Sequence, residues 1–339
     1  MPDKPKICID RVLPPENFRS QPVVRRRGGP SRAVFEFRKM WINGSTLRVR
    51  FMGGSSEEKK TAREQAAWWS EHANLKFDFN DAPDAEIRIA FDKNDGAWSW
   101  VGTDSKRISQ GEPTMNLGFL DGGTAAHEFG HAIGLGHEHQ NPDGGIEWNE
   151  DIVIRDLKGP PNSWNEAQVR HNVLNKYRTD QIRGTKFDGD SIMLYFFPGS
   201  WTKSGQATKA NETLSGLDTA FIASEQAYPK TSVEAIELEV NAQRSTRASI
   251  GKPGEEDVYQ FTADRPARYL VETSGATDVI MKLFGPDSPT QLIAEDDDSG
   301  IGTNARIVAD LIPGKYYVQI RHYFKATGTG NYTIRVRRS

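Results

Sequence analysis

At 339 residues, with 43 basic and 46 acidic side chains and a net charge of -3, the chain suits two domains. It is too evenly charged to attract nucleic acid or an anionic membrane through bulk electrostatics. The single cysteine, Cys8, excludes an intramolecular disulfide, so packing must supply the stability. No stretch approaches the apolar length of a membrane span, and residues 1–10 lack the apolar core of a secretory signal.

Residues 1–35 are rich in Pro, Arg and Gly and read as an extended leader, with Arg25, Arg26 and Arg27 as a solvated turn or arm. Thr46 to Phe51 alternates polar and apolar residues, predicting a half-buried strand stopped by Gly53 and Gly54. Ser56, Glu57 and Glu58 followed by Ala62, Ala66, Trp69 and Ala73 predict a capped amphipathic helix ending near Asn74. A strand over residues 85–91 follows, and strand, helix, strand implies a parallel pair with a helical crossover. Short strands are expected at 96–101 and 115–117, then a helix over 124–135. After Pro229 the pattern changes to seven β-rich runs, at 236–240, 258–261, 269–272, 279–283, 306–311, 316–320 and 332–336. Glycine turns separate them, as in a β-sandwich. The expected division is a leader at 1–35, a first domain at 36–229, a linker at 230–235 and a sandwich at 236–339.

The chemistry is concentrated in His127-Glu128-Phe129-Gly130-His131-Ala132-Ile133-Gly134-Leu135-Gly136-His137. Histidines four apart on a helix project from one face and can grip one cation. Glu128 then sits beside the metal without ligating it, placed to take a proton from metal-activated water. Gly134 permits the left-handed turn that brings His137 back as a third ligand. Three neutral nitrogen donors leave a position open, as catalytic rather than structural zinc requires. His139 reads as a group behind the ligands or on the surface.

This run resembles the extended zinc motif of the metzincin peptidases. Ser191-Ile192-Met193-Leu194-Tyr195 is similar to the methionine turn of their astacin-like branch. The resemblance implies an α+β metzincin-type catalytic domain, a twisted mixed sheet plus an active-site helix, followed by the all-β sandwich. It implies a zinc endopeptidase with Glu128 as general base. Met193 becomes an apolar floor under the metal, and Tyr195 a fifth ligand that stabilises the oxyanion; a core tyrosine is the alternative. Segment 96–102 resembles the edge strand on which substrate peptide lies antiparallel, near Trp98 to Val101, and 214–229 resembles the closing helix. Astacins proper carry disulfides, and their motif continues differently after Glu138, where this chain has His139-Gln140-Asn141-Pro142. The match is therefore to a disulfide-free, microbial-type relative.

Some metzincins are held latent by a leader cysteine on the metal, a role open to Cys8 alongside that of an incidental thiol. Residues 236–339 resemble the bacterial pre-peptidase C-terminal domain, some members of which bind calcium; Asp296, Asp297 and Asp298 are the candidate ligands, or a solvated turn. Protein or peptide substrates, a monomeric state and an extracellular location are expected. A non-catalytic binding protein on a protease-like scaffold, and a zinc hydrolase of a non-peptide substrate, are the other readings.

Overall fold

The computed structural model describes residues 9–11, 39–141, 144–160, 162–176, 187–231, 234–324 and 327–338; Cys8 and Arg25 to Arg27 lie outside them. The first group of elements is built on a six-stranded sheet of β1 (Ile9–Arg11), β2 (Thr46–Phe51), β3 (Lys76–Asp78), β4 (Ile87–Ala90), β5 (Ala97–Trp100) and β6 (Met115–Leu117). Its order is β1-β5-β6-β4-β2-β3. β3, β2, β4 and β6 run parallel, β5 is antiparallel to β6, and β1 is parallel to β5. The parallel pairing after a helix agrees with the strand, helix, strand order in the sequence.

Helix α1 (Ser56–Ser70) is capped by Ser55, one residue before the point where the charge pattern begins. The Ser55 hydroxyl accepts from the Glu58 amide while Glu58 accepts from the Ser55 amide. α1 ends at Ser70 and not near Asn74, although buried Ala73 continues the apolar set. Helix α2 (Thr124–Ala132) is buried from Ala125 to Ala132 and packs against both α1 and the sheet. Phe129 and Ala126 pack with Trp69, Val49, Ile87 and Ile89 in one core. Short helices α3 (Glu150–Lys158), α4 (Glu166–Val169) and α5 (Gly216–Ile222) complete this half, and the core around Trp148, Val153, Phe197 and Trp201 lies beneath the methionine turn.

The second group is all β: β7 (Ile236–Glu237), β8 (Thr246–Ile250), β9 (Glu256–Ala263), β10 (Ala267–Gly275), β11 (Val279–Phe284), β12 (Leu292–Asp296), β13 (Arg306–Leu311), β14 (Gly314–His322) and β15 (Gly330–Arg338). They form sheets of order β13-β10-β15-β8 and β12-β11-β14-β9-β7, facing each other across Tyr259, Phe261, Val271, Met281, Val318 and Ile334. β8 and β12 are the strands the residue pattern does not announce; β12 carries Asp296 at its end.

Candidate active site

Helix α2 places His127 and His131 one turn apart. Each ring is oriented by a backbone carbonyl: Nδ1 of His127 lies 2.8 Å from Ile192 O, and Nδ1 of His131 lies 2.7 Å from Leu135 O. A carbonyl only accepts, so Nδ1 carries the proton in both rings and the Nε2 lone pairs face inward. The helix ends as its glycine requires. Gly134 has φ +108°, and the amides of Gly134 and Leu135 bond the carbonyls of His131 and Gly130. That reversal brings His137 back, so that Nε2 of His131 lies 3.1 Å from Nε2 of His127 and 3.0 Å from Nε2 of His137.

The inward lone pairs of His127 and His131 at that spacing repel one another unless a cation lies between them, and Nε2 of His137 stands where it can complete the ligand set. Tetrahedral zinc with nitrogens about 2.0–2.1 Å away sets its ligands about 3.3 Å apart, so the donors fit. Burial holds His127 and His137 well below the ordinary imidazole pKa, keeping both in the neutral form a metal needs. No other group of three His, Cys, Asp or Glu side chains of metal-ligating geometry occurs among the described residues. Asp296 instead accepts from the amides of Ser299 and Arg306 at 3.1 and 2.7 Å, stapling its turn, and does not converge with Asp297 and Asp298 on a common point.

Glu128, fully buried, follows His127 on the same helix. The Tyr195 hydroxyl stands 2.6 Å from Nε2 of His137, at the mouth of the histidine cluster. Met193 is buried against α2: a Cβ built on Gly130 would come 2.5 Å from its sulfur, so the thioether lies directly on the helix backbone there. His139 is not at the surface. Its ring stacks on His137 with centroids 5.0 Å apart and meets Phe197 edge-on at 4.9 Å, while Nε2 donates to Asn172 O at 3.0 Å. Burial pulls it down to about 3, leaving it a neutral prop for His137 and Tyr195. Glu138 accepts from the amide of Asp188 and the side chain of Asn141, and burial pushes it up to about 7.

One participant was not evident from residue type. Asp218 accepts from the Ser191 hydroxyl at 2.7 Å and the Ile192 amide at 2.8 Å, pinning the turn whose Ile192 carbonyl orients His127. The signal available was Ser215 three residues before Asp218: a capping box at the start of α5, with one carboxylate serving both helix and turn. The edge expected to take substrate also carries a strand of this chain: β1 pairs with β5 in parallel register, Ile9 opposite Trp98 and Arg11 opposite Trp100.

Comparison with known proteins agrees with this geometry. The zinc metalloproteinase nas-30 of Caenorhabditis elegans is 30% identical over 157 residues, 44% of this chain but 18% of its own length. Astacin-like metalloprotease toxin 1 of Loxosceles intermedia is 28% identical over 167 residues, 48% of this chain and 56% of its own. The structure of myroilysin superposes with a TM-score of 0.54 at 34% identity, covering 56% of this chain and 97% of that one. The chain thus spans less than a fifth of nas-30 and little more than half of the toxin. A model of the Astacin family of peptidases matches residues 34–223, more than half of the 339, and the chain belongs to that family.

Proposed function

We propose that the protein is a zinc endopeptidase that hydrolyses peptide bonds, with His127, His131 and His137 holding the metal and Glu128 as general base. The observation that carries this is the convergence of three Nε2 atoms, that of His131 lying 3.1 Å from His127 and 3.0 Å from His137, beside Glu128 on the buried helix that carries the first two. When bound, zinc supplies the Lewis acidity that activates water and polarises the scissile carbonyl. Glu128 accepts the proton of the attacking water and delivers it to the leaving amine. Tyr195 turns its hydroxyl from His137 towards the developing oxyanion and donates to it. The substrate is a protein or peptide laid along β5 as an added strand.

A binding protein on a protease-like scaffold would be free to lose a ligand or the base, whereas all four side chains are present and buried together. The leader competes for the same edge. β1 occupies β5 in parallel register, opposite to the direction the resemblance gives to substrate, and Cys8 immediately precedes it in sequence. Residues 1–35 therefore act as a pro-segment, with the Cys8 thiolate as latency ligand. The protein works outside the cell as a monomer, with its catalytic domain at 36–229 and a pre-peptidase-type sandwich at 236–339. For Asp296 we prefer the turn-stapling role to calcium ligation.

Mass-spectrometric mapping of cleavage in a proteome-derived peptide pool tests the activity. Internal cuts that disappear with Glu128→Ala support it; cuts that persist in that variant refute the assignment of the base.

A further inference from the structure

Strand β11 is buried along its whole length, lysine included. Val279, Met281 and Leu283 enter the sandwich core, so by strand alternation Ile280, Lys282 and Phe284 point out of it. In β9 and β14 the same outer face carries Glu256, Val258, Tyr317, Gln319 and Arg321. A sandwich standing alone would expose this face, yet Lys282, Gln319 and Arg321 are each no more than 4% accessible. The first domain covers them.

Contact is made through residues 39–43, a strap at the start of the first domain. Ile42 packs with Val258 and Phe284 in a small core of its own. Lys282 donates to Met40 O at 3.3 Å and to the Thr103 hydroxyl at 3.1 Å, and Gln319 donates to Trp41 O at 3.2 Å. The Asn43 amide donates to Glu256 at 3.3 Å, a carboxylate already paired with Arg321 at 3.2 Å. From the loop after β11, Thr290 donates to buried Glu86 at 3.1 Å.

The other side of the strap bears on the active site. The Trp41 indole donates to Ala132 O at 2.9 Å, and the Tyr228 hydroxyl accepts from the Trp41 amide and donates to Ile133 O at 2.7 Å. These two donors satisfy the carbonyls at the end of α2, immediately before Gly134 turns the chain towards His137. Lys39 grips buried Asp104 with both carboxylate oxygens, at 2.7 and 2.6 Å. Its carbonyl crosses Gly102 so closely that a Cβ there would lie 1.9 Å away. Gly102 is two residues beyond the end of β5. One five-residue strap thus touches the sandwich, the end of the zinc helix and the end of the substrate edge.

We infer that the C-terminal sandwich is a permanent working part of the peptidase, a clamp that holds residues 39–43 against α2 and the loop after β5 and so positions His137 and the substrate edge. It is not an appendage to be shed. Buried donors and acceptors on both sides would be stranded by separation. Lys282 and Gln319 are positioning residues that act through the strap.

The test uses the full chain with a specific protease site placed in the linker 230–235, cut after folding. Size-exclusion chromatography reports association, and zinc release into a chelator reports the metal site independently of hydrolysis. The expected result is that the nicked halves co-elute with zinc release as slow as in the intact chain. In nicked Lys282→Glu and the milder Gln319→Leu, the halves part and zinc release accelerates by about tenfold or more; the intact chains of both variants, checked by circular dichroism, remain folded. Halves of the native sequence that separate on nicking overturn the inference, as does a separated catalytic half that keeps its zinc and its KM. A protein that passes these tests and cuts no peptide refutes the activity alone.

Discussion

The Ile192 carbonyl lies 2.8 Å from Nδ1 of His127, and Asp218 holds the amide of that same residue. Replacing Asp218 by Ala frees the turn and leaves the His127 ring without a fixed partner. Outer hydrogen bonds of this kind are worth about 10- to 100-fold in metal affinity. Competition with a chromophoric chelator should show zinc binding weakened by that amount in Asp218→Ala; unchanged affinity means the turn is held without it.

Glu128→Gln keeps the size of the side chain and removes the base. Zinc content by atomic absorption is expected to match wild type, while kcat falls by about 10²–10⁴, the usual contribution of proton transfer by a positioned side chain. Lost zinc would instead identify Glu128 as a ligand.

Tyr195→Phe retains the ring packed against His127 and His137, at centroid distances of 4.6 and 4.7 Å, and deletes the hydroxyl. Loss of a donor used only in the transition state should lower kcat by about 10²–10³ with little change in KM. A rise in KM at constant kcat would make Tyr195 a substrate-binding group.

The metal run was legible because its chemistry is local: ligand spacing on a helix and a glycine-dependent return need no tertiary information. The strand Thr46–Phe51 and the helix carrying Trp69 were equally plain, since one face of each meets the core. Two classes of feature were not. β1 has no alternation of its own and exists by pairing with β5, and β12 is short and only half-buried, so their signals lie in their partners. The roles of Asp218, His139 and Trp41 depend on residues 27, 33 and 91 positions away in sequence, and nothing in their neighbours gives those distances.

Burial lowers the pKa of His127 and His137, so protons compete with zinc less than they would at free imidazole. With a free value of about 6.5, affinity would drop as pH falls through that point. In the folded protein the neutral form persists below it, and the drop moves to lower pH. Chelator competition over a pH series should place the decline in zinc affinity below about 6.5; a decline centred on the free imidazole value would show that the rings titrate as if exposed.

If Cys8 and β1 enforce latency, Cys8→Ser should raise basal proteolysis of the full chain without altering the zinc content. Equal basal activity in the two proteins would make the thiol incidental and leave pairing along β5 as the only contribution of the leader.

The most direct test of the zinc-peptidase assignment is hydrolysis of casein by the Cys8→Ser chain, with chelator, after zinc is restored, and with Glu128→Ala added. The account predicts cleavage that chelation abolishes, zinc recovers and Glu128→Ala lacks. Cleavage that survives chelation or the loss of Glu128 contradicts it.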